Sequence, residues 1–275
     1  MTPCNGCRYN HGMTLSPERI ASFCRPAARQ IAVRVVDETG STNADLYAAL
    51  DGLTGPELLI ARKQTAGRGR AGRSWLSEPG KSLTFSLAWK FHLPVQSLLG
   101  LPLAVGVALA EALAMFGVHV KLKWPNDVLY EGRKLAGILI ESAGAGSVPH
   151  DASWAVIGIG INMAPGDALL AQVGRPVARI AWLAELDQDM LLATLLNGLA
   201  EAMVQFEQEG LQAFVPRWNA LHAYARQRVF ILDGSTVLHE GMAVGADAIG
   251  RFVMDTAHGR VAVMAGDVSL RPQEV

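Results

Sequence analysis

Apolar and polar positions along this chain fall into short β-branched runs separated by two longer stretches of helical spacing. Ile31–Val36, Leu58–Arg62 and Ser82–Trp89 read as strands, with Thr42–Leu50 as a helix between the first two. Ser41 or Thr42 in Ser41-Thr42-Asn43-Ala44-Asp45 supplies its N-cap. Pro102–Phe116 suits a helix packed on that sheet. His119–Lys123, Lys134–Glu141 and Trp154–Met163 are further strands, divided by turn signals at Pro125-Asn126-Asp127, Glu131-Gly132 and Gly144–Pro149. From Ile180 to Tyr224 the pattern is helical, with Met190, Leu191, Leu195 and Leu199 marking one apolar face.

After Arg228 the texture changes to short runs divided by glycine: Val229–Leu232, Thr236–Leu238, Met242–Ile249, Arg251–Asp255 and Arg260–Met264. That spacing predicts a small barrel. The fold class is α+β with a mixed, mainly antiparallel sheet. Its organisation is an irregular or partly helical arm at 1–29, a main domain at 30–226 and a small β domain at 227–275.

With 275 residues, 50% hydrophobic and 18% charged, the chain can bury a large core, which argues against disorder. Its net charge of -1 disfavours a general nucleic-acid coat, so any basic cluster is local. Phe91–Ala110 carries no formal charge, but Pro94, Gln96 and Pro102 interrupt it and Glu111 follows, which favours a buried helix over a membrane span. The three cysteines, all before residue 25, form no disulfide framework, and Met1–Met13 has no apolar signal stretch, so a cytoplasmic setting is expected. Cys4, Cys7, His11 and Cys24 include only one C-x-x-C pair, so no metal site is assigned.

Charge concentrates at Arg62–Arg73, which holds five basic side chains and three glycines in twelve residues. Glycine lets backbone N–H groups turn toward a ligand, and arginine forks match phosphate or carboxylate oxygens, so the run reads as a flexible anion trap. Gly67, Gly69 and Gly72 satisfy G-x-G-x-x-G, but no helix follows and no acid lies near Lys90, so the dinucleotide fingerprint fails. The kinase pattern fails for want of H-R-D and D-F-G, and Gly80-Lys81-Ser82 lacks the leading glycine of a P-loop. Trp75 is either a purine-stacking surface or a core residue.

Lys121-Leu122-Lys123-Trp124-Pro125-Asn126-Asp127 brings alternating lysines to one strand face and then a turn bearing Asn126 and Asp127. Those two polar residues read a ligand or merely bond the local backbone. Lys134 opens a strand in which Ala136 and Gly137 are too small to block a neighbouring ligand, although a strand-entry lysine can equally face water. Glycines in Ile157-Gly158-Ile159-Gly160-Ile161-Asn162 mark close ligand approach or a bulge.

Gly40-Ser41-Thr42-Asn43, Gly67–Trp75, Lys123–Asp127, Lys134–Leu139 and Gly158–Asn162 together strongly resemble the biotin protein ligases in order and spacing, and the likeness extends through 31–275 to Gly266–Arg271. The resemblance implies an SH2-like catalytic domain followed by an SH3-like barrel. It places biotin near Ser41, Thr42, Asn43 and Gln64, with Gly67, Arg68, Gly69, Arg70, Lys134, Gly137 and Gly158 completing the site. Adenine would lie on Trp75, and Arg70, Arg73, Lys123 and Asn126 would serve ATP, with Arg271 a weaker phosphate candidate. Lys134, Arg68 and Arg70 would be catalytic. Asp127 would influence Mg2+ without being assigned as its ligand.

The implied reaction joins biotin to the α-phosphorus of ATP, giving biotinyl-5′-AMP and pyrophosphate, and an acceptor lysine then takes biotin and releases AMP. The implied acceptor is the biotin carboxyl carrier protein of acetyl-CoA carboxylase. About thirty residues precede the first strand, where bifunctional relatives carry a winged helix-turn-helix, so a monofunctional enzyme without DNA binding is expected. A homodimer stays open. Ala71 departs from the family, which often has arginine there. The rival readings are lipoate-protein ligase, which shares fold and adenylation logic, and a non-catalytic module binding nucleic acid through the basic loop and Trp75.

Overall fold

The computed structural model describes residues 15–144, 152–173, 176–266 and 268–273. Two short helices open it, α1 (Pro17–Phe23) and α2 (Pro26–Arg29). Each starts with a proline, at a position where a helix has no use for the missing N–H, and Ser16 caps α1 by accepting from the Arg19 N–H. Ile20, Cys24 and Ala28 are buried, so this part of the predicted irregular arm is packed structure. Burial pushes the Cys24 thiol pKa up. Cys4, Cys7 and His11 lie outside the described residues.

The main sheet has seven strands. In chain order the elements are β1 (Ala32–Thr39), α3 (Thr42–Ala49), β2 (Glu57–Gln64), β3 (Ser82–Phe91), α4 (Leu101–Ala114), β4 (Lys121–Lys123), β5 (Asp127–Tyr130), β6 (Arg133–Gly144) and β7 (Ser153–Asn162). They lie in the order β1-β2-β3-β7-β6-β5-β4, antiparallel except for β1 with β2. The short β5 escapes the sequence pattern because it follows the Trp124–Asn126 turn at once and pairs back on β4. Phe91–Ala110 runs from the end of β3 into α4, whose sides are almost wholly buried. No helix among the described residues is long and apolar enough to cross a membrane.

The helical stretch divides into α6 (Ala181–Glu185), preceded by the unforeseen α5 (Asp167–Val173), then α7 (Gln188–Glu209) and α8 (Val215–Leu221). Asp187 caps α7 by accepting from the N–H groups of Asp189 and Met190, and Gly210 ends it at φ 69°. Leu191, Leu195 and Leu199 are buried as expected, but Met190 is 38% exposed because it begins the solvent side of the first turn. A Cβ at Gly198 would stand 3.4 Å from Ala108 O and 3.5 Å from Ala112 Cβ, so small residues let α4 and α7 approach closely.

A second sheet follows: β8 (Arg228–Asp233), β9 (Thr236–Ala246), β10 (Phe252–Thr256), β11 (Gly259–Val263) and β12 (Val268–Pro272), ordered β11-β10-β9-β8-β12. It is antiparallel, but β11 and β12 are its two edges and do not pair, so the expected closed barrel is an open five-stranded sheet. Thr236–Leu238 and Met242–Ile249, read as separate runs, belong largely to the single strand β9. Gly241 is no divider there: a Cβ would fall 2.2 Å from Asp255 O, so the glycine permits close strand approach.

The two sheets share one apolar core, in which Val229, Ile231, Phe252, Met254 and Leu270 cluster with Leu122 and Trp124. Trp124 donates from Nε1 to Gly250 O at 3.0 Å and packs on Phe252 at 5.6 Å. Beside it, His222 stacks on Trp218 at 5.0 Å and meets the edges of Phe252 and Tyr224. Neither ring nitrogen of His222 has a hydrogen-bond partner in the protein, and burial lowers its pKa from 6.5 to about 4.

Above pH 6.5 both folded and unfolded chains hold this histidine neutral. Between pH 6.5 and about 4 the unfolded chain takes up a proton that the folded one refuses, so stability falls with pH, by about 3 kcal/mol in full. His222→Phe keeps an aromatic ring against Trp218 without that proton. Urea unfolding of parent and variant between pH 7.5 and 4.5 is expected to show a shallower acid loss in the variant; parallel curves would remove His222 as a source of acid lability.

Candidate active site

A cavity of about 1390 Å³ opens where one face of the main sheet, the glycine–arginine segment and the second sheet meet. Its floor comes from β3, β7 and β6. Ser82, Thr84 and Ser86 alternate along β3 and turn small polar groups to one face. Ser86 pairs with Gly158 and Thr84 with Gly160 in β7, while Gly160 pairs in turn with Gly137 of β6. The result is a shallow trough.

Side chains from elsewhere fill that trough. A Cβ at Gly158 would fall 2.3 Å from Asn43 Oδ1, and one at Gly160 would fall 2.2 Å from Trp75 Cε2. At Gly137 the nearest atoms are Lys134 Nζ at 3.0 Å and Trp75 Cζ3 at 3.2 Å. The glycines therefore admit Asn43, Trp75 and Lys134 to the floor. Trp75 is half-buried with Nε1 unpartnered among protein groups, and Lys134 Nζ lies 5.8 Å from the indole centroid.

The first turn of α3 supplies the polar end. Ser41 accepts from the Ala44 N–H as N-cap, which starts the helix and leaves Thr42 and Asn43 buried beside the floor. Thr42 N donates to Gln64 Oε1 at 2.8 Å, Thr42 Oγ1 lies 2.7 Å from Ser86 Oγ, and Ser86 donates to Asn43 Oδ1 at 2.7 Å. Asn43 Nδ2 donates to Glu141 Oε2 at 2.8 Å. Gln64 stands at the end of β2, level with Thr39 of β1, so two strand ends and a helix start converge.

The cationic end is built from β4, β5, β6 and the glycine–arginine segment. Lys123 and Asp127 face each other across the β4–β5 hairpin, 3.8 Å apart. Lys134 Nζ also pairs with Asp127, and its backbone is held by Pro176 O and the Ala178 N–H. Asn126 donates to Ile138 O at 2.7 Å and accepts from Arg70 at 3.1 Å. Arg70 reaches Gly266 O as well, tying the segment to the second sheet. Tyr224, Leu270 and Arg271 line that side. Burial raises the Tyr224 hydroxyl pKa, with the Asp127 charge adding to it and Arg271 opposing it.

The glycine–arginine segment is more ordered than a flexible trap. Gly69 N donates to Arg73 O at 2.7 Å, Trp75 N to Gly67 O at 2.8 Å, and Arg68 bridges Ser74, which together make a small hairpin. Its tip carries Ala71 at φ 54° and Gly72 at φ 68°. Ser41, Thr42, Asn43, Gln64, Arg68, Gly69, Arg70, Arg73, Trp75, Lys123, Asn126, Lys134, Gly137 and Gly158 all line the cavity. Gly67 does not. It lines the adjoining groove, and its own task is steric, since a Cβ there would fall 2.4 Å from Trp75 O.

Residues 33–162 match the model of the biotin/lipoate A/B protein ligase family. Over 249 residues the chain is 35% identical to the bifunctional ligase/repressor BirA of Escherichia coli, covering 88% of this chain and 75% of that protein. It belongs to the biotin protein ligase family. The biotin–[acetyl-CoA-carboxylase] ligase of Mycobacterium tuberculosis is 34% identical, with 85% of this chain and 87% of that protein covered. A biotin protein ligase from Aquifex aeolicus, solved in complex with biotin and ATP, superposes with a TM-score of 0.71 at 27% identity, covering 88% and 99% of the two chains.

Within this biotin protein ligase, Ser86 and Glu141 belong to the polar network although the motifs do not include them. Ser86 was legible in the period-two alternation of β3, whereas Glu141 joins only through tertiary contact. Gly67→Ala is expected to open the hairpin, because backbone at 2.4 Å cannot yield as a flexible side chain would. Limited proteolysis should then cut within 66–75 about 5- to 30-fold faster, the effect of losing one or two net hydrogen bonds at about 1 kcal/mol each. Parent-like cleavage would show that the hairpin tolerates the methyl group.

Proposed function

We propose that this protein is an ATP-dependent biotin protein ligase that activates biotin as biotinyl-5′-AMP and transfers it to a lysine of a biotin carboxyl carrier protein. The observation that carries this reading is one cavity with two chemically different ends. A neutral hydrogen-bonding end at Thr42, Asn43, Gln64 and Ser86 suits a polar, uncharged ring. A cationic end at Lys134, Lys123, Arg70, Arg73 and Arg271 suits a carboxylate and a triphosphate. The relatives' names fit the same substrates, and the Aquifex aeolicus ligase was solved with biotin and ATP.

The first step joins two anions. A carboxylate oxygen of biotin attacks the α-phosphorus while the bond to pyrophosphate breaks, so negative charge accumulates where the substrates meet. Lys134, with Arg68 and Arg70, offsets that charge. Asp127 keeps the lysines in place. No protein nucleophile is required, because the adenylate is itself the activated acyl donor; the acceptor amine attacks its carbonyl and AMP leaves.

Trp75 offers the adenine a flat surface, with Asn126 and Lys123 beside it. Magnesium would come to the site on the triphosphate. Asp127 and Asp233 are the acids among the described residues of the cavity wall, and a site with so few carboxylates suits an ion that keeps most of its ligands as phosphate and water. Residues 30–226 would form the catalytic unit and 227–275 an appended unit walling the nucleotide end, in a cytoplasmic enzyme.

Calorimetric titration with biotin, then with ATP added, tests the substrates, and pyrophosphate release should require biotin. Lys134→Ala is expected to cut biotin-dependent pyrophosphate release by about 100-fold or more, the usual effect of losing one electrostatic stabiliser, with the fold retained. Near-normal release would count against the assignment. Salt-sensitive oligonucleotide binding without ATP turnover would favour the nucleic-acid reading instead.

A further inference from the structure

Glu141, which the proposed chemistry leaves unused, terminates the hydrogen-bonded chain on the cavity floor. One of its oxygens, Oε2, accepts from Asn43 Nδ2 at 2.8 Å and from Arg68 Nη2 at 2.6 Å. Asn43 is 3% exposed, and the Glu141 side chain is 29% exposed. Three elements therefore meet at one atom: the first turn of α3, the glycine–arginine hairpin and β6.

An ionised carboxylate only accepts hydrogen bonds. Asn43 must therefore turn its NH2 toward Glu141 and its carbonyl oxygen toward Ser86, whose hydroxyl donates to it. The single Ser86 proton is then committed, so the one Thr42 hydroxyl proton is divided between Ser86 Oγ at 2.7 Å and Gln64 Oε1 at 3.1 Å, and the shorter contact favours donation to Ser86. The alternative would set two oxygens face to face with no proton between them. Gln64 Oε1 is engaged by the Thr42 N–H at 2.8 Å, which leaves the Gln64 NH2 as the donor of that amide. Glu141, at 2.8 Å the nearer of two acceptors beside Leu139 O at 3.4 Å, thus anchors the donor and acceptor sense of this chain.

We propose that Glu141 is a positioning residue for the biotin site: its carboxylate, with Leu139 O as a longer second acceptor, holds the amide orientation of Asn43 and, through Ser86 and Thr42, the donor and acceptor pattern offered to a cyclic urea. The ureido ring of biotin has one carbonyl acceptor and two N–H donors, so a pocket of the wrong sense leaves buried groups unpaired. Arg68, donating to the same oxygen, fastens the hairpin to this pattern. The inference rests on the ligase reading and extends it.

Glu141→Gln keeps the volume but replaces a charged acceptor with a neutral amide whose one oxygen must serve both Asn43 and Arg68, so it weakens the constraint. Biotin affinity, measured by calorimetry, is expected to fall by about 10-fold or more, the effect of one imperfectly paired buried group. ATP affinity, kcat at saturating biotin and the thermal midpoint should stay close to the parent, a division that loss of a structural prop would not give. Glu141→Ala, measured alongside, should lose at least as much biotin affinity. In an Asn43→Ala background Glu141→Gln should cost less than about two-fold.

Biotin binding by Glu141→Gln or Glu141→Ala within about two-fold of the parent would overturn the proposal, as would an equal loss for ATP or an undiminished loss in the Asn43→Ala background. A parent protein that takes up no biotin would instead count against the ligase reading itself.

Discussion

Strand backbone bare of side chains governs this site. Gly158, Gly160 and Gly137 neighbour one another across β7 and β6, and Asn43, Trp75 and Lys134 lie where they do because no Cβ intervenes. Asn43 reaches Glu141 only by crossing Gly158, and Trp75 lies flat only by occupying the space over Gly160. The flanking Ile157, Ile159 and Ile161 carry the burial that a glycine-rich strand would otherwise lack, and β3 and β6 clamp it along most of its length. A strand weak in side-chain packing is thereby made rigid enough to serve as a floor.

Electrostatics form the second constraint. The chain as a whole is near neutral, with 24 basic and 25 acidic residues, yet basic groups crowd one end of one cavity. Like charges brought together without a ligand repel, by about 1 kcal/mol per pair at 4 Å in bulk water and more where water is excluded. The fold offsets this locally: Asp127 stands between Lys123 and Lys134, Glu141 engages Arg68, and Asn126 with Gly266 O engages Arg70. Each of these contacts is one that an incoming anion can share or replace, so the cluster persists without a substrate and still responds to one.

Much of this was legible in the sequence. Strands with clear alternation, such as Ser82–Trp89, and the apolar helix ending near Phe116 announced themselves through local periodicity, and residues from the separate motifs line one cavity. What escaped was tertiary. The basic run Gly67–Arg73 has the composition of a mobile loop, but its cross-hairpin hydrogen bonds depend on which backbone groups meet. Glycines at 158 and 160 were read as close ligand approach or a bulge, whereas the groups over them are the side chains of Asn43 and Trp75, over eighty positions away in the chain. The closed barrel failed for a similar reason: strand count follows from turn spacing, whereas closure requires pairing between first and last edges, which β11 and β12 do not make.

The second sheet is therefore best understood through what it touches. Trp124 leaves the β4–β5 turn to anchor on Gly250 and Phe252, and the next residues of that turn carry Asn126 and Asp127 into the cavity. Asn219 grips Ala246 through both backbone groups, while Arg70 crosses from the hairpin to Gly266. Any movement of the second sheet relative to the first would have to pull the turn, the hairpin tip and Arg271 together. Burial of Trp124, at 1% exposure, makes such movement costly, since truncating a fully buried tryptophan typically costs about 3–5 kcal/mol. The apolar seam between the sheets thus fixes the geometry of the cationic end, just as the glycine trough fixes that of the neutral one.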